Sequence, residues 1–222
     1  MDSHAQDMAI PLTEKLVGFI LRPVGTFRDA RDETVVDAGI YFLVLLVINA
    51  LITAVLSVLG FSAVESVEST FGIGATTGAL DFVGSLVAAF IGGIVVLIVL
   101  SVFLHVGARF AGGRGDFADS LKSSVYSLTP SMLLGWLVII PVIGWILGLV
   151  FFIWSVVLLV LGVRELHELD TGRAIIAVVI AIGIILLILV ILAVVIGVAL
   201  FALFGIFSSS GGPLPVVTVV ST

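Results

Sequence analysis

Side chains able to do chemistry are sparse in this chain, so each can be weighed on its own. Ser101 and His105 stand one helical turn apart, the one Ser–His pair at that spacing. A nucleophile of that kind needs a base oriented by a third group. No carboxylate and no glycine-rich nucleophile turn accompanies the pair, which leaves an intramembrane hydrolase as the weakest reading. His167 and Glu168 begin an HExxH zinc pattern, but position 171 is Thr where the second ligand belongs. Cysteine is absent, which removes disulfides, thiolate metal sites and cysteine nucleophiles together. Two groups remain. Arg109, Arg114 and Lys122 surround Gly112, Gly113 and Gly115, a composition that belongs to a plain positive-inside loop or is suited to an anionic lipid headgroup, a phosphate or a cytoplasmic protein. The glycine run is no phosphate-binding P-loop, because Gly-Lys-Ser/Thr is missing at the required offset. Asn49, Thr53 and Ser57 are spaced by four and share one helical face inside an apolar run. Such a face serves as hydrogen-bonding glue between helices or, with a break at Pro130, as the lining of a solute or ion path.

The elements that must hold these residues are set by composition. Hydrophobic residues make up 61% of the 222 and charged residues 11%. Soluble domains average roughly 45–50% and 25%, so the chain is read as an integral membrane protein. The first 38 residues are polar and interrupted by Pro11 and Pro23, and show no short apolar core before a small-residue cleavage site. The expected fold is all-α, a bundle of five transmembrane helices preceded by an amphipathic N-terminal segment. Its domains are a cytoplasmic segment at 1–38, spans near 39–60, 82–106, 123–140, 143–163 and 174–207, and an external disordered tail at 208–222.

All nine basic residues sort into alternate hydrophilic stretches. Lys15, Arg22, Arg28 and Arg31 precede the first run; Arg109, Arg114 and Lys122 follow the second; Arg164 and Arg173 follow the fourth. Cytoplasmic loops are enriched in Lys and Arg, which puts the N-terminus inside and the C-terminus outside the cell membrane. Residues 1–9 read as a disordered polar tip. From Leu12 to Arg31, apolar residues recur at three- and four-residue steps, giving one or two short amphipathic helices broken near Pro23. These lie in the inner headgroup layer or pack on the cytoplasmic ends of the bundle.

Within the spans, Gly84, Ala88, Ala89, Gly92 and Gly93 make the second one a candidate central packing helix. Asp81 is placed to cap it, and the outer loop at 61–81 carries Glu65 and Glu68. Pro130 should kink the third span or start a segment capped by Thr129. Pro141 to Gly144 supplies an outer turn, Gly144 and Gly148 form a GxxxG, and Trp136 and Trp145 are interface anchors. Arg164 and Glu168 stand at i, i+4 and are expected to pair, with Thr171 as the last N-cap. The final run, Ala174–Phe207, would be about 51 Å of helix, so tilt, protrusion or a break at Gly197 or Gly205 must absorb the excess. Ionisable residues are confined to span ends, which argues against a proton-coupled pump.

Gly112-Gly113-Arg114-Gly115-Asp116-Phe117, then Leu121, Val125 and Tyr126-Ser127-Leu128-Thr129-Pro130, resembles the inner-loop signature of the Yip domain family. There a glycine-rich turn, a Phe and a short helix lead into Tyr-x-x-x-Pro at the third span. Pro23-x-x-Thr26-Phe27, Leu166-His167-x-Leu169 and the five-span plan fit the same layout, over roughly residues 15–200. The resemblance implies a non-enzymatic role in membrane organisation, since eukaryotic relatives bind prenylated Rab-type GTPases. The acidic Asp-Leu-Tyr-Gly-Pro element of those trafficking members is missing here, and no GTPase contact is carried over. The expectation is a scaffold binding membrane lipids or a cytoplasmic protein at Arg109, Arg114 and Lys122, with no catalytic residue, cofactor, metal or nucleic acid and with a homo-oligomer open. The alternative is a small-solute or ion transporter or channel with its path near Asn49 and Pro130.

Overall fold

A computed structural model describes residues 11–59, 79–140 and 142–210. The expected polar tip, Glu65 and Glu68 in the outer loop, Pro141 and the tail from residue 211 lie outside the described residues. Every element among them is helical. Two compact units are present, residues 1–182 and 183–222.

The N-terminal segment forms α1 (Leu12–Leu21) and α2 (Pro23–Asp29), followed by a 3₁₀ turn at Ala30–Asp32. The break falls at Arg22, whose φ of −139° and ψ of 55° are non-helical, as expected for a residue before proline. Phe19 and Phe27 are fully buried together with Tyr41 and Tyr126. Phe19 stacks on Tyr126 at 4.7 Å, and Phe27 meets it edge-on at 6.1 Å. Of the two placements weighed for this segment, packing on the bundle is the one observed. A capping box then starts α3 (Val35–Val58): the Thr34 hydroxyl accepts from the Asp37 amide while the Asp37 carboxylate accepts from the Thr34 amide.

The helix α4 (Ala79–Phe110) packs on α3. Its buried stripe is Leu97, Ser101, Leu104 and Ala108, not the small-residue face. Gly84 and Gly92 face open space, and only Gly93 is tight, against Leu46. The expected central helix is therefore partly lipid-facing, because the stripe with shape-matched partners is offset from the glycine-rich one. Asp81 is the third residue of α4, inside the helix and not before it.

A second capping box, Asp116 with Asp119, starts α5 (Phe117–Ser127). The chain bends at Leu128 into α6 (Thr129–Leu134) and a 3₁₀ turn at Gly135–Ile139. Pro130 causes this. Its missing N–H would leave the Tyr126 carbonyl unpaired, and the Thr129 hydroxyl donates to that carbonyl at 2.8 Å instead. Thr129 therefore repairs the preceding turn and does not cap the next. The stretch expected as a third span is three short pieces, so among the described residues four helices are long and apolar enough to cross a membrane: Val35–Val58, Phe82–Phe110, Ile143–Leu166 and Thr171–Ala202.

The helix α7 (Ile143–Leu166) runs antiparallel to those pieces. A Cβ on Gly162 would come within 3.1 Å of Ser123, Ser131 and Ser155 hydroxyls meet at 2.9 Å, and Gly144 and Gly148 receive Val138. The GxxxG thus closes a hairpin within the chain. Last comes α8 (Thr171–Ser210). Its cap is Asp170, which accepts from the Arg173 amide, one residue before the Thr expected. In the first unit, Ala174, Ala177, Val178 and Ala181 pack with Leu104, Ala108, Leu159 and Val163. A Cβ on Gly107 would sit 2.1 Å from the Ala177 carbonyl oxygen, so that contact requires glycine. No break occurs at Gly197 or Gly205; α8 continues to Ser210.

Candidate functional site

Polar groups concentrate where α1, α2 and the ends of α4, α5 and α7 meet. Lys15 lies on the buried face of α1, four residues before Phe19, and its Nζ lies 2.7 Å from both oxygens of Glu33. Both side chains are at most 5% exposed. Glu33 Oε2 also accepts from the Tyr126 hydroxyl at 2.5 Å, while Oε1 has the ionic contact and no hydrogen bond. Lys15 further sits 5.6 Å and 5.8 Å from the Tyr41 and Tyr126 ring centres. An ammonium between two π faces and a carboxylate can remain charged away from water. Around this centre, Arg28 pairs with Glu165 at 3.0 Å and Arg31 pairs with Glu168. Arg164 pairs with Glu165, not with Glu168 as expected, since Arg31 occupies the latter.

A second cluster lies under the glycine-rich turn. The Ser120 hydroxyl stands 3.1 Å from His105 Nδ1 and 2.9 Å from His167 Nε2. His167 is fully buried and its Nδ1 has no hydrogen-bond partner. An added Cβ on Gly115 would come within 2.6 Å of the His167 ring, and one on Gly113 within 2.9 Å of the Ala108 carbonyl oxygen and 3.2 Å of the His167 side chain. Gly112 takes φ +86°, and the turn is tied down by Gly113 N–H to the Ala108 carbonyl and Arg114 N–H to the His167 carbonyl. Burial pushes the His167 pKa down to about 4; His105 and Arg109 push the same way, while Asp119 and Asp116 oppose. The imidazole is neutral at physiological pH.

The sequence-derived candidates separate. Arg109 and Arg114 are exposed, and neither side chain has a partner among the described residues. Arg173, joined to Asp170 at 3.3 Å, reaches over Gly112. Lys122 is not with them: it is 6% exposed, donates to the Arg31 carbonyl at 2.8 Å and lies 3.2 Å from Asp119. Its four-carbon stem carries the charge inward to hold the N-terminal segment. Asn49 Nδ2 donates to the Met132 carbonyl at 2.9 Å, Thr53 to the Asn49 carbonyl and Ser57 to the Ala54 carbonyl. That face is spent on joining α3 to α6 and on its own helix. Ser101 donates to the Leu97 carbonyl at 2.7 Å, so it does not meet His105.

Residues 17–194 match the family model of the Yip1 domain. The chain belongs to the Yip1 domain family, and its several apolar helices make it a multi-pass membrane protein. No curated protein and no solved structure matches it.

Proposed function

We propose that this Yip1-domain chain is a non-enzymatic membrane organiser that binds anionic lipid headgroups on its cytoplasmic face through Arg109 and Arg114. One observation carries the reading. Lys15, Arg28, Arg31, Lys122, Arg164 and Arg173 are each in an ion pair. Among the described residues the three cations outside one are Arg22, alone between α1 and α2, and Arg109 and Arg114, which flank one tied-down turn together. Rigid guanidinium pairs suit phosphate oxygens, and each arginine near an anionic surface contributes about 1 kcal/mol. A cytoplasmic protein with an acidic surface would use the same two side chains.

The accompanying topology is five crossings with the N-terminus inside and the C-terminus outside. It is supported by the basic loops and by the run of α5, α6 and the 3₁₀ turn along the length of α7. At about 1.5 Å per residue, α7 (24 residues) spans roughly 36 Å, enough for a hydrocarbon core, and its broken partner lies along it from Ser123 at Gly162 to Val138 at Gly144. Broken backbone is tolerated at membrane depth when it is buried in protein. The solute-path alternative is not adopted, because the Asn49 face is occupied by its own hydrogen bonds.

Two experiments test these readings. Native mass spectrometry of the detergent-solubilised chain should show phosphatidylglycerol retention falling roughly tenfold in Arg109→Gln/Arg114→Gln. Unchanged retention would remove the lipid reading. The chain has no cysteine, so single cysteines at positions 114 and 222 can be probed with an impermeant maleimide; labelling from opposite sides is expected, and labelling from one common side overturns the topology.

A further inference from the structure

The turn from α1 into α2 leaves an open groove of about 390 Å³ between them, away from Arg109 and Arg114 in sequence and built from different elements. Its size falls within the range of small-ligand sites. The groove is held by glycine: a Cβ on Gly18 would lie 2.4 Å from Thr26 Oγ1, and the Thr26 hydroxyl in turn donates to the Arg22 carbonyl across the break. Glu14, Arg22 and Asp29 line it.

Four other charges of the same segment, Lys15, Arg28, Arg31 and Glu33, have ion-pair partners, while Asp32, outside the groove, has none among the described residues. Glu14, Arg22 and Asp29 have none among the described residues, although opposite signs share one groove. Opposite charges that line a cleft without touching leave room for a ligand carrying both signs. The apolar side of the same helix supplies the second requirement: Val17 lines the groove and Leu21 follows one turn on, 53% and 71% exposed. In a helix packed at the membrane-proximal end of the bundle, such residues suit contact with acyl chains.

We propose that the groove binds the headgroup of an aminophospholipid. Its phosphate lies on the Arg22 guanidinium, its primary ammonium between the Glu14 and Asp29 carboxylates, and its chains begin along Val17 and Leu21. The charge pattern selects against two other headgroups. A purely anionic one meets two carboxylates for one arginine. A choline ammonium has no N–H to donate, so the charge-assisted hydrogen bonds to Glu14 and Asp29 cannot form.

The test is native mass spectrometry of the full-length detergent-solubilised chain, titrated separately with phosphatidylethanolamine, phosphatidylcholine and phosphatidylglycerol. Phosphatidylethanolamine should bind at least about fivefold more tightly than phosphatidylcholine, and Glu14→Gln/Asp29→Asn should erase that preference. Arg22→Gln should weaken both by roughly tenfold while leaving phosphatidylglycerol retention at Arg109 and Arg114 unchanged. Equal binding of the ethanolamine and choline lipids by the native chain overturns the proposal, as does a preference that survives the double substitution. Gly25→Phe provides a check independent of charge: Gly25 borders the groove and a Cβ there meets nothing within 4 Å, so the ring should block the lipid without disturbing the helix pair. Full binding by a folded Gly25→Phe chain would also sink it. The Arg109→Gln/Arg114→Gln chain should keep the ethanolamine preference, so failure at one site is distinguishable from failure at the other.

Discussion

The α5–α6 stretch and the part of α8 after Ile182 invert the rule that governs water-soluble proteins. Ser120, Ser123, Ser124, Ser127 and Thr129 are at most 1% exposed. In α8, Leu189, Val194 and Val198 are more than half exposed, although nothing in the chain is more apolar. The reason lies in the solvent. Lipid tails are as hospitable to Leu as a protein interior, so hydrophobicity no longer sorts inside from outside. Polarity and backbone breaks do the sorting, because an unpaired hydroxyl or carbonyl in hydrocarbon has nowhere to go. The broken α5–α6 stretch, with Pro130 and five hydroxyls, is therefore enclosed, and the unbroken apolar helix is not. What holds the enclosed region together should be specific contacts; what holds α8 should be length and composition.

The sharpest way to break that contrast is to remove one partner of the Lys15–Glu33 pair. Glu33→Leu leaves an ammonium buried against two aromatic rings and deprives the Tyr126 hydroxyl of its acceptor. Breaking a buried pair from one side typically costs about 3–5 kcal/mol. A lowered unfolding midpoint of that size is expected in detergent. Lys15→Met/Glu33→Leu should recover much of the loss, since replacing both charges by apolar groups is often near neutral. By comparison, Arg28→Gln should cost no more than about 1 kcal/mol, because its side chain is largely exposed in the pair with Glu165.

His167 offers a second, smaller test, read against pH. Its native pKa is about 4, below the ordinary value of 6.5, so between those values the unfolded chain binds more protons. The His167 contribution should therefore be constant above pH 6.5, fall as pH drops toward 4, and level off below, where protonation of paired carboxylates takes over as the destabilising step. The full loss is about 3 kcal/mol for a shift of that size, which already includes the opposition of the Asp116 and Asp119 carboxylates. His167→Gln should flatten the slope across that window. A slope that persists in the variant would assign the titration to another group.

Local features of this architecture were legible in the sequence, and pairings across it were not. The break before Pro23, the interruption at Pro130 and the close-packing GxxxG of Gly144 and Gly148 all follow from backbone chemistry within a few residues. That Asn49 needs a partner followed too, but not that the partner is Met132, 83 positions away. Glu33 and Tyr126 are 93 positions apart, and His167 and Ser120 are 47 apart. No spacing rule links them. One clue was available: Lys15 sits on the same helical stripe as Phe19, and a cation on an apolar stripe demands a buried carboxylate. The glycine-rich turn left a positive-inside loop and an anion site both open, because glycine reports close approach without saying of what; here the approaching groups are His167 and the Ala108 carbonyl. The cap of α8 was placed one residue late for a simpler reason, since Asp170 and Thr171 are both good caps and only geometry chooses.

Glycines give the finest discrimination between enclosed and lipid-facing helix surface, and the smallest effects. Gly107 faces the Ala177 carbonyl oxygen, and a methyl group there would sit 2.1 Å from it. Backbone cannot rotate away as a side chain can, so Gly107→Ala should force α4 and α8 apart and cost about 1–3 kcal/mol. Gly92 lies on the same helix with nothing within 4 Å. Gly92→Ala adds a methyl to a surface facing lipid and raises helix propensity, so its effect should lie within about 0.5 kcal/mol of zero or favour folding slightly. If Gly92→Ala instead proved as harmful as Gly107→Ala, the Gly84–Ala88–Gly92 face would have to be covered in the membrane. The second span would then be the packing helix its composition announced.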